Sequence, residues 1–565
     1  MLKINVTEER KKRSKKKRFP LLLFIIIPFL SFFIYILVNS GLSVKNIPDL
    51  FFYTPPKVKY ETFKLSFDES IPEAVVNAVK SSVQNLQFNG TPRFEFVENG
   101  GYRVIYTDDL DSAMYFKQYA VVGHIYWIKG DITRSEIKES KKVYIPSDGD
   151  KIHRIFLTQL LGDDVQIVSS DDLASDLLKS EEYVGIVPIE DLNKWMKVLQ
   201  LDNKYCLEDS SGCLYIGYKL EDRKNSDFVG SIIGRNMEIE YGKSMSVDKN
   251  GIAKINMSGV VAMSRGLAQK IDSSGDFAYP ARKLGSFLAD ADLTHVSNEV
   301  SFVKGCTGYT GMVFCSKPEY IETLKASGVD IIELTGNHNN DYGAKNNKSS
   351  IEKYIELGWD YFGGGLNSED ASKVLYKEVK ENLIAFMGYN WYNTLYSTNA
   401  LAGSSSAGAN SYSVEKLTKD IREAKDKGAL AIVTFQFQEC YSYPPSDVIY
   451  PICYKPLSNP DQKKVFRQAI DLGADIVIGT QAHQPQTYEV YGDGLIFYGL
   501  GNLYFDQDEW IGTRQGLILS LYVKDNDLVQ VKITPIIVDS TLIPHVADKA
   551  DSKLLLNLLK SARTF

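Results

Sequence analysis

From Lys254 onward, strand-like and helix-like runs alternate, and this alternation confines the second half of the chain to a layered α/β fold. Strands are expected over residues 254–261, 293–296, 330–334, 383–388, 430–435 and 476–479. Helices are expected between them, over 281–289, 318–326, 344–357, 413–427 and 462–472. Short apolar runs rich in β-branched residues, separated by helical patterns, argue for strands that share a sheet covered by helices. Two further strands, 515–523 and 528–537, follow each other directly and add antiparallel edges.

The first half mixes the same elements less regularly. Strand-like runs occur at 102–106, 120–128 and 183–188, and helical ones at 71–86 and 152–161. A chain of 565 residues accommodates two or three domains at roughly 100–200 residues each. We divide it into a basic tail (1–19), an apolar span (20–40), a stalk (41–56), a first α/β domain (57–247) and a second (252–510). Residues 511–565 complete the second domain with strands and a helix. The segment VGIVPIEDLNKWMKVLQLD, 184–202, resembles segments of periplasmic solute-binding domains. A binding role and a spacer role are both open for the first domain.

Residues 1–19 hold nine Lys/Arg and two Glu, so the rest of the chain carries net −14 of the overall −7. An acidic body argues against nucleic-acid binding, which needs a basic face. After the basic run comes PLLLFIIIPFLSFFIYILV, 20–38, with no charge from Phe19 through Val44. About 20 apolar residues match the hydrocarbon thickness, and a basic N-terminal flank stays cytoplasmic. The main body is then extracytoplasmic. A cleaved signal peptide is the rival reading; the length of the stretch and the poor Val38-Asn39-Ser40 cleavage site favour an anchor. Six cysteines fall in near-neighbour pairs, 206/213, 306/315 and 440/453. Three local disulfides are the simplest hypothesis and suit an oxidising compartment; buried free thiols are the alternative.

Polar clusters stand where the strands of the second domain end. These are Ser264-Arg265, Asn298-Glu299, the loop Asn337-His338-Asn339-Asn340-Asp341, Gln436 with Glu439, and Gln481 with His483. Ligand sites in open α/β folds collect at the carboxyl ends of strands, and buried polar groups need partners. Convergence on one rim follows.

The pieces SGVVAMSR, SNEVSF, LTGNHNNDYG, FQFQECY, GADIVIGTQAHQPQTYEVY and LIFYGLGNLYFDQ stand in this order between Ile252 and Gln507. Together they resemble the CapA family of bacterial capsule and poly-γ-glutamate synthesis proteins, relatives of the calcineurin-like metallophosphatases. The resemblance implies an α/β/β/α sandwich with two central sheets. It also implies roles: His338 as general acid, with Asp341 either catalytic or capping the next helix; Glu299, Asn337, Glu439 and His483 as ligands of a divalent ion (Mn, Zn or Fe); and Arg265 as an anion clamp. Asn298, Gln436 and Gln481 join as binding residues. The chain departs from the phosphatase pattern at three ligand positions: Gln481 and Gln436 replace histidines, and Ser258-Gly259-Val260 lacks a carboxylate. The implied function is synthesis, export or anchoring of a capsule polymer at the cell surface, by a hydrolase or transferase. The alternative is a non-catalytic polymer-binding or assembly subunit. The expected partners are the cell-surface polymer, the membrane and capsule synthase subunits.

Overall fold

The computed structural model describes residues 62–140, 142–147, 150–179, 181–221, 224–244, 251–308, 310–396, 399–437 and 462–563. The expected tail, apolar span and stalk lie outside the described residues, as do Glu439, Cys440 and Cys453. Among the described residues no helix is long and apolar enough to cross a membrane. Gln87–Phe88 and Thr91–Pro92 pair as a small hairpin that belongs to a separate unit. Residues 63–86 and the described residues from Phe94 onward form one compact unit.

Within that unit the first layer is a nine-stranded mixed sheet. Its centre pairs Tyr115–His124 with Leu214–Leu220 on one side and Val184–Pro188 on the other, both antiparallel. Helices Glu73–Val83, Asp150–Leu161 and Ser226–Tyr241 contribute Val75, Phe156 and Ile233 to its core. The strand expected at 120–128 begins earlier and stops at His124. There the chain turns, with Trp127 N–H donating to the His124 carbonyl at 2.8 Å. Ile125 is thereby sent into the neighbouring core rather than its own sheet.

The second half builds two sheets. One has eight strands, ordered Asp360–Phe362, Ile331–Glu333, Leu293–Asn298, Ala253–Val261, Gln515–Lys524, Asp527–Val538 and Pro544–Val546, with Asn502–Tyr504 added at the end of Ala253–Val261. The other has six, ordered Leu375–Val379, Asn382–Asn390, Leu430–Gln436, Ile476–Gly479, Gly494–Phe497 and Tyr488–Tyr491. Alternation along the strands sends successive side chains to opposite faces. Ile255, Met257 and Leu519 of the first sheet therefore pack with Phe386, Ile432 and Ile478 of the second. The outer face of the first sheet buries Leu267, Leu324 and Ile351 from helices Arg265–Ser274, Ile321–Ala326 and Ala344–Glu356. The outer face of the second buries Leu417, Ile421 and Phe466 from Val414–Asp426 and Gln462–Asp471. The layers run helix, sheet, sheet, helix. Helix Arg265–Ser274 was not expected, and the helix expected at 281–289 shortens to Gly285–Ala289.

The two halves are pegged together by Glu208. Its carboxylate accepts from Tyr522 Oη at 2.6 Å and pairs with Lys254 and Lys532, each at 2.8 Å. These three partners sit on three adjacent strands of the eight-stranded sheet. Desolvation pushes the Glu208 carboxyl upward, but the charge of Lys532 and the hydrogen bonds from Lys254, Lys532 and Tyr522 outweigh it and hold it at about 2. The Cys206–Cys213 disulfide closes the turn that carries Glu208.

Candidate active site

Parallel pairing aligns the ends of Ala253–Val261, Leu293–Asn298 and Ile331–Glu333 in one sheet, and of Leu430–Gln436 and Ile476–Gly479 in the other. Beneath this rim the sheets are joined through a buried polar group. Glu333 accepts from Thr335 Oγ1 at 2.5 Å and from Thr480 Oγ1 at 3.0 Å, and meets His295 Nε2 at 3.1 Å. His295 is thus a core residue between the sheets.

The loop after Ile331–Glu333 is fixed by its own amides. Asn339 Nδ2 donates to the Asn298 carbonyl at 3.3 Å and Asn340 Nδ2 to the Ala407 carbonyl at 3.1 Å, while Ser301 Oγ donates to the Asn339 carbonyl at 2.6 Å. Gly336 is required here because a Cβ would lie 2.6 Å from Glu299 Cα. The anchored loop presents His338 and Asp341. His338 Nδ1 lies 2.7 Å from Asp341 Oδ2, and the two side chains are 13% and 18% exposed. Asp341 Oδ2 also accepts from Phe314 N–H at 2.7 Å. The following helix has Gly343 at its N-cap with no side-chain cap bond, so Asp341 is directed to His338 rather than to capping.

Arg265 enters the same site. Its Nε and Nη2 donate to Asp506 Oδ1 at 3.0 and 2.6 Å, and Gly266 N–H donates to Asp506 Oδ2 at 2.7 Å. The guanidinium lies against the rings of both Phe314 and Phe505, 4.9 and 4.8 Å from their centroids. Phe314 in turn faces His338 at 4.3 Å and Phe505 faces His483 at 5.2 Å. His483 is buried, with Nδ1 2.9 Å from Asn502 Oδ1. One continuous run of contacts therefore joins His338, Phe314, Arg265, Phe505 and His483. The Cys306–Cys315 disulfide holds the loop that ends in Phe314. Gly501, at φ 75°, lets the chain pass close beside Gly259, whose Cβ would meet the Gly501 carbonyl at 1.9 Å. That close pass delivers Asn502, Phe505 and Asp506. Asp506, Phe505 and Phe314 were not singled out in the sequence; the stretch LIFYGLGNLYFDQ carried the first two in view.

The remaining expected residues divide. Gln436 and Asn337 meet, with Gln436 Nε2 donating to Asn337 Oδ1 at 3.0 Å. Glu299 and Gln481 are buried at strand ends. Asn298 turns inward, donating to Tyr354 Oη at 2.8 Å and to the Val300 carbonyl at 3.0 Å. Burial pushes the Tyr354 phenol well above its usual range, so it stays a neutral hydroxyl. Glu439 lies outside the described residues. Among the described residues no three His, Cys, Asp or Glu side chains gather as a metal would require, and the Asn337 amide oxygen is engaged by Gln436.

Known proteins supply the context. Residues 254–507 match the family described as "Bacterial capsule synthesis protein PGA_cap". The chain is 31% identical over 225 residues to "Capsule biosynthesis protein CapA" of Bacillus anthracis, covering 39% of this chain and 51% of that protein. It is 27% identical over 249 residues to "PGA biosynthesis protein CapA" of Bacillus subtilis (strain 168), covering 44% and 61%. It thus spans between half and two thirds of these relatives' length. Among solved structures, a putative 5'-nucleotidase from Staphylococcus aureus aligns over 54% of this chain and 58% of that one, at 15% identity and a TM-score of 0.30. A phosphate transport receptor from Vibrio cholerae aligns over 32% and 99%, at 13% identity and a TM-score of 0.21. Scores this low carry no argument. Over residues 254–507 the chain is therefore similar to the CapA proteins of bacterial capsule synthesis.

Proposed function

We propose that this chain acts in the biosynthesis of a bacterial capsule polymer, poly-γ-glutamate or a polysaccharide, and that His338 is its acid–base group. The observation that carries the reading is the His338–Asp341 pair at 2.7 Å on a partly exposed rim. Donation of Nδ1–H to the carboxylate fixes the tautomer and leaves Nε2 to exchange protons. The neutral ring takes a proton at Nε2 from an attacking hydroxyl or water, and the resulting imidazolium returns one to the leaving group. Arg265, held by Asp506, keeps a fixed positive charge beside this step. The reaction class is hydrolysis or transfer at an ester, phosphoester or amide linkage of the polymer. The helix, sheet, sheet, helix layering supports descent from a metallophosphatase-like sandwich.

A second reading, a polymer-binding or assembly subunit, is favoured by one observation. The Arg265 guanidinium and the Asn337 oxygen already have partners within the chain. Under either reading we place the body outside the cytoplasm, anchored by residues 20–40 beside capsule synthase subunits. The Cys206–Cys213 and Cys306–Cys315 disulfides support an oxidising compartment. The test is to incubate the full chain with poly-γ-glutamate and follow both polymer binding and covalent change, with His338→Ala as comparator. Covalent change lost in the variant while binding persists supports the acid–base role; binding with no covalent change by the unaltered chain supports the subunit.

A further inference from the structure

Away from the His338 rim, a cavity of about 860 Å³ opens where the first sheet meets strand Asp527–Val538 and helix Lys549–Ala562. Clefts between packed layers are common ligand sites. Six lysines line this one: Lys129, Lys197, Lys532, Lys549, Lys553 and Lys560. Two carboxylates oppose them, Asp131 and Glu181. The lining therefore carries four more positive than negative side chains, in a chain whose body beyond residue 19 is net −14.

The lysines are held in distinct ways. Lys197 Nζ donates to the Trp127 and Ile128 carbonyls at 2.7 and 3.3 Å, with no carboxylate of its own. Burial lowers it to about 8, while Glu181 and Asp131 pull the other way, so it remains largely charged near neutrality. Lys532 pairs with Glu208 and lies over the Tyr205 ring at 4.4 Å. Lys553 makes no ion pair among the described residues. At the mouth, Lys549 pairs with Asp131 at 2.7 Å and Lys560 with Glu181 at 3.0 Å; these lysines are 86% and 50% exposed. Exposed pairs of this kind contribute little, so an incoming carboxylate can take the place of Asp131 or Glu181 at small cost. The wall also has unused polar capacity. Gln530 Oε1 and the Tyr205 hydroxyl are buried against the cavity and close to one another, with no other hydrogen-bond partner for either atom among the described residues. Buried polar atoms left so are costly unless something else satisfies them.

We propose that this cavity is a second, anion-binding site that holds an extended polycarboxylate strand. The site stands on the lysines and the cavity; the choice of a polycarboxylate rests on the capsule reading above. Its test is fluorescence anisotropy of a labelled γ-glutamate decamer on the full-length chain, with polyphosphate and neutral dextran as competitors. Lys197→Gln is expected to weaken binding about tenfold or more, as for a desolvated charge contact. Lys553→Glu, at an exposed position where folding is not at stake, is expected to weaken it about three- to fivefold. His338→Ala is expected to leave the affinity for the decamer unchanged, which separates this site from the acid–base rim. Decamer binding that ignores Lys553→Glu and Lys197→Gln, or is lost in Arg265→Ala instead, overturns the site. Polyphosphate displacing the decamer at far lower concentration overturns the choice of ligand.

Discussion

Asp506 uses both carboxylate oxygens on adjacent parts of one helix start: Oδ1 takes the Arg265 guanidinium and Oδ2 the Gly266 N–H. Arg265 sits at φ 49°, a left-handed conformation that costs a non-glycine residue and persists only when its surroundings impose it. Asp506 supplies that constraint. Asp506→Asn is expected to destabilise the fold by about 2 kcal/mol, between the values for exposed and buried pairs. Urea denaturation measures it, and a shift near zero would mean that the aromatic contacts alone hold Arg265.

Glu208 should set part of the acid stability. Its folded carboxyl, at about 2, lies below the ordinary glutamate value of 4.5. Its contribution is therefore complete above pH 4.5 and is lost as pH falls toward 2. Glu208→Gln should lower stability at pH 7 and flatten the dependence between pH 4.5 and 2. Denaturation midpoints across that range test this; an unchanged slope in the variant argues against the peg.

His124 titrates in a different window. Burial, with a smaller push from Arg563, lowers it from 6.5 to about 4. The unfolded chain takes up a proton first, so stability is full above pH 6.5 and falls as pH drops to 4, by about 3 kcal/mol in all. His124→Gln should remove this loss between pH 6.5 and 4 while leaving the Glu208 window intact. Retention of the full slope in the variant would assign the loss elsewhere.

Reduction should reach the active rim through Phe314. The Cys306–Cys315 bridge spans a sequence separation of 9 and ends beside the ring that packs on His338. Cys306→Ser with Cys315→Ser should cost about 2–3 kcal/mol and weaken polymer binding or turnover. A double variant with native activity would show that Phe314 is held by Asp341 and Phe505 without the bridge.

Much of the fold was legible because its strands are short, apolar and β-branched. Ile476–Gly479 was expected with those bounds; 344–357 exceeds the observed helix by one residue at its C-terminal end, and 413–427 by one residue at each end. Helix Arg265–Ser274 was not legible. It opens on a left-handed arginine and a glycine, and although Ser264 stands at the N-cap it makes no cap bond, and neither a Glu/Gln three residues on nor a proline marks the start. The loop bearing Asn337, His338 and Asp341 stood out because it is polar directly after an apolar strand. Asn298 looked similar but faces Tyr354, since a strand-end amide can satisfy itself inward as well as outward. Phe314 and Asp506 join the rim through contacts that bridge 24 and 241 residues to His338 and Arg265, and no local pattern encodes such contacts.

The pairing of Asp341 with His338 is the account's centre, and Asp341→Asn addresses it with little change in shape. The measurement is the rate of covalent change in poly-γ-glutamate with the full-length chain and this variant, alongside polymer affinity. The account predicts a loss of about 10²-fold or more in rate with affinity preserved. A variant as active as the unaltered chain, or an unaltered chain that binds the polymer and leaves every linkage intact, would contradict it.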